Sequence, residues 1–400
     1  MNRLESLLNF AKNHVPFHHR RAPTRHLILG EWPFMTKEDL EAYSLDKCND
    51  LLSDSYVAGG YIVASGGTMS KPKYIFYTHE EVVALSRNIA NHFMANGIEA
   101  GDGVVNFFTS GDMWSSFLLV DKALSVMPVT VFPLGYTARM DFATDVIRRF
   151  KPNVIAGIPS MILDLARYCA DEKKGIRLEK VFYAGEPMSL AVMDLLRSTW
   201  DSNLIRSAGY ASTDAGSIGW QCLHCRPGEH YAFEDAVVEI VNREIVVTSL
   251  MRYGMPIIRY RTGDRGRWVT PSCDCGKGAP MFQLMGRLDD IIIIWGCWIS
   301  YSDIVSAFEC LNVKFAAIQV CAYSEENGQY LIIKFESLGQ IDRPADEQLR
   351  NHVYACCGDL NATVARDKLD RLLLFEAVPI GSLRRQERTG KVLPIIDSRS

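Results

Sequence analysis

The 400-residue chain has no long hydrophobic run: its greasiest stretch, IIIIWGCWI at residues 291–299, is about half the ~20 residues that a membrane-spanning helix needs. We read that stretch as one buried strand and expect no membrane association. Nor is there an excess of positive charge. Against 43 basic residues stand 47 acidic ones, for a net charge of -4, so the cationic surface that neutralises nucleic-acid phosphates is missing. A small-molecule partner and no nucleic acid is the expectation. The N-terminus, MNRLESLLNFAKNHVPFHHRR, lacks the apolar core of a secretory leader, and its basic cluster follows the apolar residues where a leader would have it in front. This predicts a cytoplasmic protein, and His14, His18 and His19, set among arginines, read as a solvated face. Internal repeats and low-complexity linkers are also missing. Cysteine is not scarce, but its count of 11 is odd, which without an export signal points to reduced thiols and a metal site over a disulfide framework.

What is present is an ordinary globular composition, 48% hydrophobic and 22% charged, in a chain longer than one core usually organises. Thr78 to Gly97 reads as a helix, with Thr78 and Glu81 as a capping box and Val82, Leu85, Ile89 and Phe93 at helical spacing. Apolar strand-like runs then alternate with amphipathic helices: VVNFF, DMWSSFLLVDKAL, PVTVFPL, ARMDFATDVIRRF, PNVIAGI, SMILDLARYCADE, KVFYAG and SLAVMDLLRSTW. Such alternation implies an α/β fold with mostly parallel sheets flanked by helices, whose ligands gather at the carboxyl ends of the strands. From about residue 231 the pattern changes to an antiparallel β unit, with VVEIV and EIVVTSL joined by an Asn-Arg turn. After GRLDD it changes again, to strands and helices of a small α+β unit. The expected division is a large N-terminal domain over 1–288 and a small C-terminal α+β domain over 289–400, with the boundary near Asp289.

Six short motifs punctuate this framework. SGGTMSKPK (65–73) has the glycines, hydroxyls and lysine of a phosphate cradle, although Lys71 is followed by Pro72 where a P-loop has Ser or Thr. By itself it is a weak sign. It is followed in order by AGEP (184–187), YASTD (210–214), YRTGD (260–264), GRLDD (286–290) and RTGK (388–391).

In order and spacing these motifs resemble the signatures of the adenylate-forming superfamily of acyl-CoA synthetases, adenylation domains and luciferases, most closely its phenylacetate-CoA ligase branch. The resemblance runs from VPFHHR near the N-terminus through PFMTKEDL to Lys391. It implies ATP-dependent activation of an aromatic carboxylic acid, aryl or arylacetic, to an acyl-adenylate, then transfer to coenzyme A. The chemical logic is that a carboxylate would have to expel oxide, whereas its mixed anhydride with AMP expels a stabilised phosphate. The crowded α-phosphate then needs hydrogen-bond donors, Mg²⁺ and a lysine.

By the resemblance, Ser65, Gly66, Gly67, Thr68 and Lys71 hold the β- and γ-phosphates. Gly185, Glu186 and Pro187 line the adenine pocket, against which Tyr210 lies. Thr213 bonds the α-phosphate and Asp214 holds Mg²⁺. Asp264 accepts from the ribose hydroxyls with Arg287 at the same end of the nucleotide, and Lys391 bridges carboxylate and α-phosphate during adenylation. After the small domain swings about Asp289, Trp295-Gly296-Cys297 approaches the pantetheine channel. Cys222, His230, Cys273 and Cys275 match the Cys, His and CxCG positions of relatives in that branch and imply structural Zn²⁺, with His224 and Cys225 as bystanders.

The chain departs from the family pattern in places. Gly66, Met69 and Ser70 stand where SSGTTGKP is usual, Ala211 replaces a Gly, Asp214 replaces a Glu, and Ser300-Tyr301 replaces a proline after the hinge strand. Two alternatives stay open. One is an adenylating enzyme of antibiotic biosynthesis, phenazine for example, that hands the acyl group to a carrier protein, an amine or a reductase. The other is a catalytically silent nucleotide-binding protein.

Overall fold

The computed structural model describes residues 2–399 apart from 25–26, 54–58, 66–71, 137–138, 172–174, 271–278, 326–327, 339–344 and 387–389. The chain divides into two compact units, residues 1–185 with 199–284, and residues 186–198 with 285–400. Among the described residues no helix is long and apolar enough to cross a membrane.

The first unit holds a five-stranded parallel sheet in the order Thr130–Phe132, Gly103–Asn106, Val154–Gly157, Lys180–Tyr183, Leu204–Ser207. Val104, Val105, Val154, Ile155, Ala156, Val181 and Phe182 are all fully buried. Both faces of the sheet are therefore covered, which explains why its strands read as continuous apolar runs and do not alternate. The helices Ser115–Leu124, Met140–Phe150, Pro159–Asp171 and Leu190–Trp200 separate the strands in sequence.

The helix His79–Ala95 begins as its cap predicts: Thr78 Oγ1 accepts from Glu81 N at 3.1 Å and Glu81 Oε2 accepts from Thr78 N at 3.0 Å. The second oxygen of Glu81 accepts from the backbone of Tyr253 and Gly254 at 2.6 and 2.7 Å. The cap thus also anchors a remote loop.

An antiparallel seven-stranded sheet completes the unit. Its hairpin Ala236–Val241/Glu244–Ser249 turns on Asn242 and Arg243, both at positive φ (51° and 67°), as a two-residue turn between twisted strands requires.

The second unit packs the helices Tyr301–Cys310 and Asp346–Cys356 and a four-stranded sheet around one core. Strands Phe315–Glu325 and Gly328–Ser337 form its central antiparallel pair. Leu373–Val378 and Ile395–Asp397 lie parallel on its two edges.

Two sequence expectations fail here. The run 291–299 is not one strand but a tight hairpin, Ile291–Ile294 against Cys297–Ser300. Trp295 (φ 55°) and Gly296 (φ 78°) make the turn, and Ile293 and Trp298 emerge exposed on one face. Mean hydropathy hid a turn whose only visible mark is the glycine.

His18 is not on a solvated face either. While His14 and His19 are exposed, His18 is buried beside Trp32, its Nε2 2.9 Å from the Pro256 carbonyl. Burial pushes its pKa down to about 4. The folded protein therefore keeps His18 neutral while the unfolded chain binds a proton below about pH 6.5, so stability must fall as pH drops from 6.5 towards 4. Comparing urea midpoints at pH 7 and 4.5, we expect the wild type to lose ~2–3 kcal/mol that His18→Gln does not lose.

Candidate active site

The motifs AGEP and YASTD follow the strands Lys180–Tyr183 and Leu204–Ser207, at the carboxyl ends where an open parallel sheet leaves room for a ligand. SGGTMSKPK lies between two strands in sequence. It connects the antiparallel strands Gly60–Ala64 and Tyr74–Thr78, and Ser65 N donates to the Lys73 carbonyl at 2.9 Å to close the loop's base. Ser65 is buried. Gly66, Gly67, Thr68 and Lys71 lie outside the described residues.

Three groups of the first unit converge on the YASTD segment. Asp214, expected to hold Mg²⁺, is buried with Lys73. Its Oδ2 accepts from Lys73 Nζ and from the Tyr260 hydroxyl, both at 2.7 Å. Its Oδ1 is buried and has no hydrogen-bond partner among the described residues, a lone-pair site of the kind a hard cation takes. The residues present therefore fit a divalent cation.

Next to it, Thr213 Oγ1 lies 3.1 Å from Ser115 Oγ, and its carbonyl accepts from the Tyr77 hydroxyl at 2.7 Å. Behind both sits Arg252, entirely buried. It stacks 3.7 Å from the centroid of the Tyr77 ring and donates to the carbonyls of Asp214 and Phe76 at 3.2 and 2.7 Å. Its Nε lies 3.6 Å from Glu81 Oε2 without a hydrogen bond; a buried cation needs such partners, and here they fix the backbone of the turn that carries Thr213 and Asp214. Burial also raises the Tyr77 phenol, with Arg252 opposing, so it stays a neutral donor.

The third group joins two residues assigned to one nucleotide: the Tyr210 hydroxyl donates to Asp264 Oδ2 at 2.5 Å. A short bond from a phenol to a carboxylate orders that carboxylate and leaves lone pairs for further donors. Gly185, at φ +88°, closes the first part of this unit. Glu186, Pro187, Arg287 and Lys391 belong to the second unit. There Arg287 is half-exposed with Nη2 3.8 Å from Asp289 Oδ2. Lys391 is partly buried, at the end of a hairpin in which Arg385 pairs with Val392.

The sequence reading gives no role to Lys73, Tyr260, Tyr77, Ser115 or Arg252. Of these, only Lys73 and Tyr260 carried a signal, as the last letter of SGGTMSKPK and the first of YRTGD.

The cysteines come together differently from the expected metal set. Cys222 and Cys225 are buried with their sulfurs 3.6 Å apart, and Cys222 N donates to Cys225 Sγ at 3.3 Å. Two thiolates on a tetrahedral zinc with bonds of ~2.3 Å lie ~3.8 Å apart, so this pair fits a shared metal. Cys273 and Cys275 lie outside the described residues. His230 is buried and stacked on Phe282, with Nδ1 3.0 Å from the Gly228 carbonyl and its pKa lowered by burial to about 4. Among the described residues no three His, Cys, Asp or Glu side chains form a metal cluster.

Comparison with known proteins gives the site its context. A phenylacetate-coenzyme A ligase of Thermus thermophilus is 26% identical over 325 residues, 74% of this chain and 71% of its own. The indoleacetate–lysine synthetase of Pseudomonas savastanoi is 24% identical over 241 residues, 58% of each chain. A solved 2-hydroxyisobutyryl-CoA ligase, in its postadenylation state with 2-HIB-AMP, shares the fold with a TM-score of 0.80 at 19% identity, over 99% of this chain and 88% of that one. The family model of the AMP-binding enzymes matches residues 21–244, more than half of the chain and the whole stretch from the phosphate loop through YASTD. The protein belongs to the family of AMP-binding enzymes.

Proposed function

We propose that the protein uses ATP to convert an aromatic carboxylic acid to its acyl-adenylate and then passes the acyl group to coenzyme A. The observation that carries this reading is the convergence on one turn of the first unit of Asp214 with a buried lone pair, Thr213 with a hydroxyl partner, and Tyr210 bonded to Asp264. These are an acidic anchor for a cation, a hydroxyl for a phosphoryl oxygen and a carboxylate for a ribose, in the order that a nucleotide presents them. The phenylacetate-coenzyme A ligases among the relatives support the acid class and the thiol acceptor.

Asp214 would hold Mg²⁺, and Tyr210 would lie along the adenine with Gly185, Glu186 and Pro187. The loop 65–71 takes the leaving pyrophosphate. The bound cation supplies charge neutralisation at the phosphates, while Tyr77 and Arg252 hold the Thr213 and Asp214 carbonyls in place. Lys391, from the second unit, donates to the α-phosphate in the adenylation step. The hinge lies near Asp289, an exposed residue shortly after the second unit's long segment begins at Met285. The site operates in the cytoplasm.

The indoleacetate–lysine synthetase among the relatives favours a second reading, in which an amine takes the acyl group. The two are separated by measuring AMP release with the preferred acid: acceleration by free CoA supports the thiol, and acceleration only by amines overturns it.

Structural zinc is part of the proposal. The Cys222–Cys225 pair motivates it, with Cys273 and Cys275 as further ligands and His230 as the alternative to Cys225. Zinc there staples two segments of the antiparallel β unit. We expect about one zinc per chain by elemental analysis, since structural sites bind tightly. Chelation should lower Tm in the wild type and have little effect in Cys222→Ser. Metal-free protein of unchanged Tm would remove zinc from the account.

A further inference from the structure

Two buried polar side chains of the second unit are used by nothing so far described. Gln319, on Phe315–Glu325, is 3% exposed, and Glu336, on the neighbouring Gly328–Ser337, is 1% exposed. Polar groups at such depth are expensive unless fully bonded. Apart from a 4.0 Å contact of Cys321 Sγ to Gln319 Oε1, and Glu336 Oε2, which has no hydrogen-bond partner among the described residues, their bonds go to residues 381, 383, 384, 385 and 393 of one segment.

Gln319 uses both ends of its amide. Nε2 donates to the carbonyls of Arg384 at 2.9 Å and Leu393 at 2.8 Å, and Oε1 accepts from Arg384 N at 3.3 Å. Arg384 and Leu393 are the two arms of one hairpin, paired to each other by Leu393 N to Arg384 O at 3.0 Å. Gln319 therefore staples both arms to the sheet at the base. Glu336 Oε1 fixes the strand leading in, accepting from Gly381 N at 2.8 Å, Leu383 N at 3.3 Å and Arg385 Nη2 at 3.5 Å. Beyond the base, Arg385 Nη1 donates to Gly390 O at 3.1 Å, Gly390 N to Gln386 O at 2.9 Å and Gln386 N to Lys391 O at 2.8 Å. The chain of bonds ends at the backbone of Lys391.

We propose that Gln319 and Glu336 are positioning residues that hold the Lys391 hairpin in the geometry adenylation requires; this builds on the assignment of Lys391 to that step. An amide suits Gln319 because only a side chain with donor and acceptor in one plane can hold a carbonyl and an N–H of one arm while reaching the carbonyl of the other. A lysine on a mobile tail would spend most of its time away from the α-phosphate. Displacement by about 1 Å of a group acting in the transition state can lower a rate by ~10²-fold.

The test is a pair of half-reactions on the full chain. In Gln319→Leu, acid-dependent ATP–pyrophosphate exchange should fall by about 10–10²-fold through kcat, with KM for ATP and acid unchanged. Thioester formation from a supplied acyl-adenylate should stay within about twofold, because Lys391 does not act in it. A merely structural role would depress both half-reactions together, and that result overturns the proposal, as does unchanged exchange. In the double variant with Lys391→Ala, loss of Gln319 should add nothing further, since a residue acting through another cannot cost more once that other is gone; additive losses also overturn it. If Gln319→Leu fails to fold, Glu336→Gln, which keeps size and loses the charge on Arg385, is read the same way with a smaller expected fall. Exchange unaffected by Lys391→Ala would sink the underlying reading of the lysine itself, whereas exchange lost with Lys391→Ala but kept in Gln319→Leu sinks only the staple.

Discussion

Lys391→Ala is expected to lower acid-dependent ATP–pyrophosphate exchange by about 10²–10³-fold, the usual consequence of removing one well-placed donor from a charged transition state. During adenylation the α-phosphate carries negative charge while the acid's carboxylate, itself an anion, approaches it. A lysine ammonium reduces that repulsion as a compact charge. Lys391→Arg keeps the charge on a wider, planar head and should recover only part of the rate. The second half-reaction, acyl transfer from a supplied adenylate, should be nearly untouched. Equal losses in both halves would mean that the residue supports the unit's fold and not one chemical step.

The largest effect on stability is expected at Lys73. Its ammonium and the Asp214 carboxylate are 2.7 Å apart with side chains only 6% and 10% exposed. Lys73→Met leaves Asp214 ionised in a dry site with the Tyr260 hydroxyl as its remaining described donor. Breaking a buried pair from one side costs about 3–5 kcal/mol, so the urea midpoint should drop by that equivalent. Because the penalty belongs to the stranded charge, Lys73→Met/Asp214→Asn should regain much of it. Added Mg²⁺ should raise the midpoint of Lys73→Met more than that of the wild type, since the exposed need for positive charge makes the folded variant the better binder. A loss under about 1 kcal/mol would show that Asp214 is not the enclosed carboxylate described here.

Those two lysines also mark how far the sequence could be read. Local patterns translated directly: the Thr78–Glu81 cap, the alternating strands and helices of 103–207, and the Asn242-Arg243 turn all follow from neighbours within a few residues. The motif order also brought the family within reach. What stayed illegible depends on partners far away in the chain. Lys73 and Asp214 are 141 residues apart, and Gln319 reaches Leu393 across 74. Nothing in a lysine, glutamine or glutamate says that it will be buried, because type alone favours exposure. His18 misled for the same reason, since its exposed neighbours His14 and His19 make the segment look solvated. The run IIIIWGCWI misled in the other direction: hydrophobicity implied one buried strand, while the backbone at Trp295 and Gly296 folds it into a hairpin with Ile293 and Trp298 outside. Among the cysteines, the resemblance grouped Cys222 with His230 and set Cys225 aside, yet the short loop brings Cys225 to 3.6 Å from Cys222.

ATP–pyrophosphate exchange across a panel of aryl, arylacetic and aliphatic acids, with Mg²⁺ present and then removed, tests the central claim most directly. Exchange that depends on one aromatic acid and on Mg²⁺ is the predicted result. A protein that binds ATP but exchanges pyrophosphate with none of the acids would contradict it, leaving a nucleotide-binding protein without the adenylation chemistry.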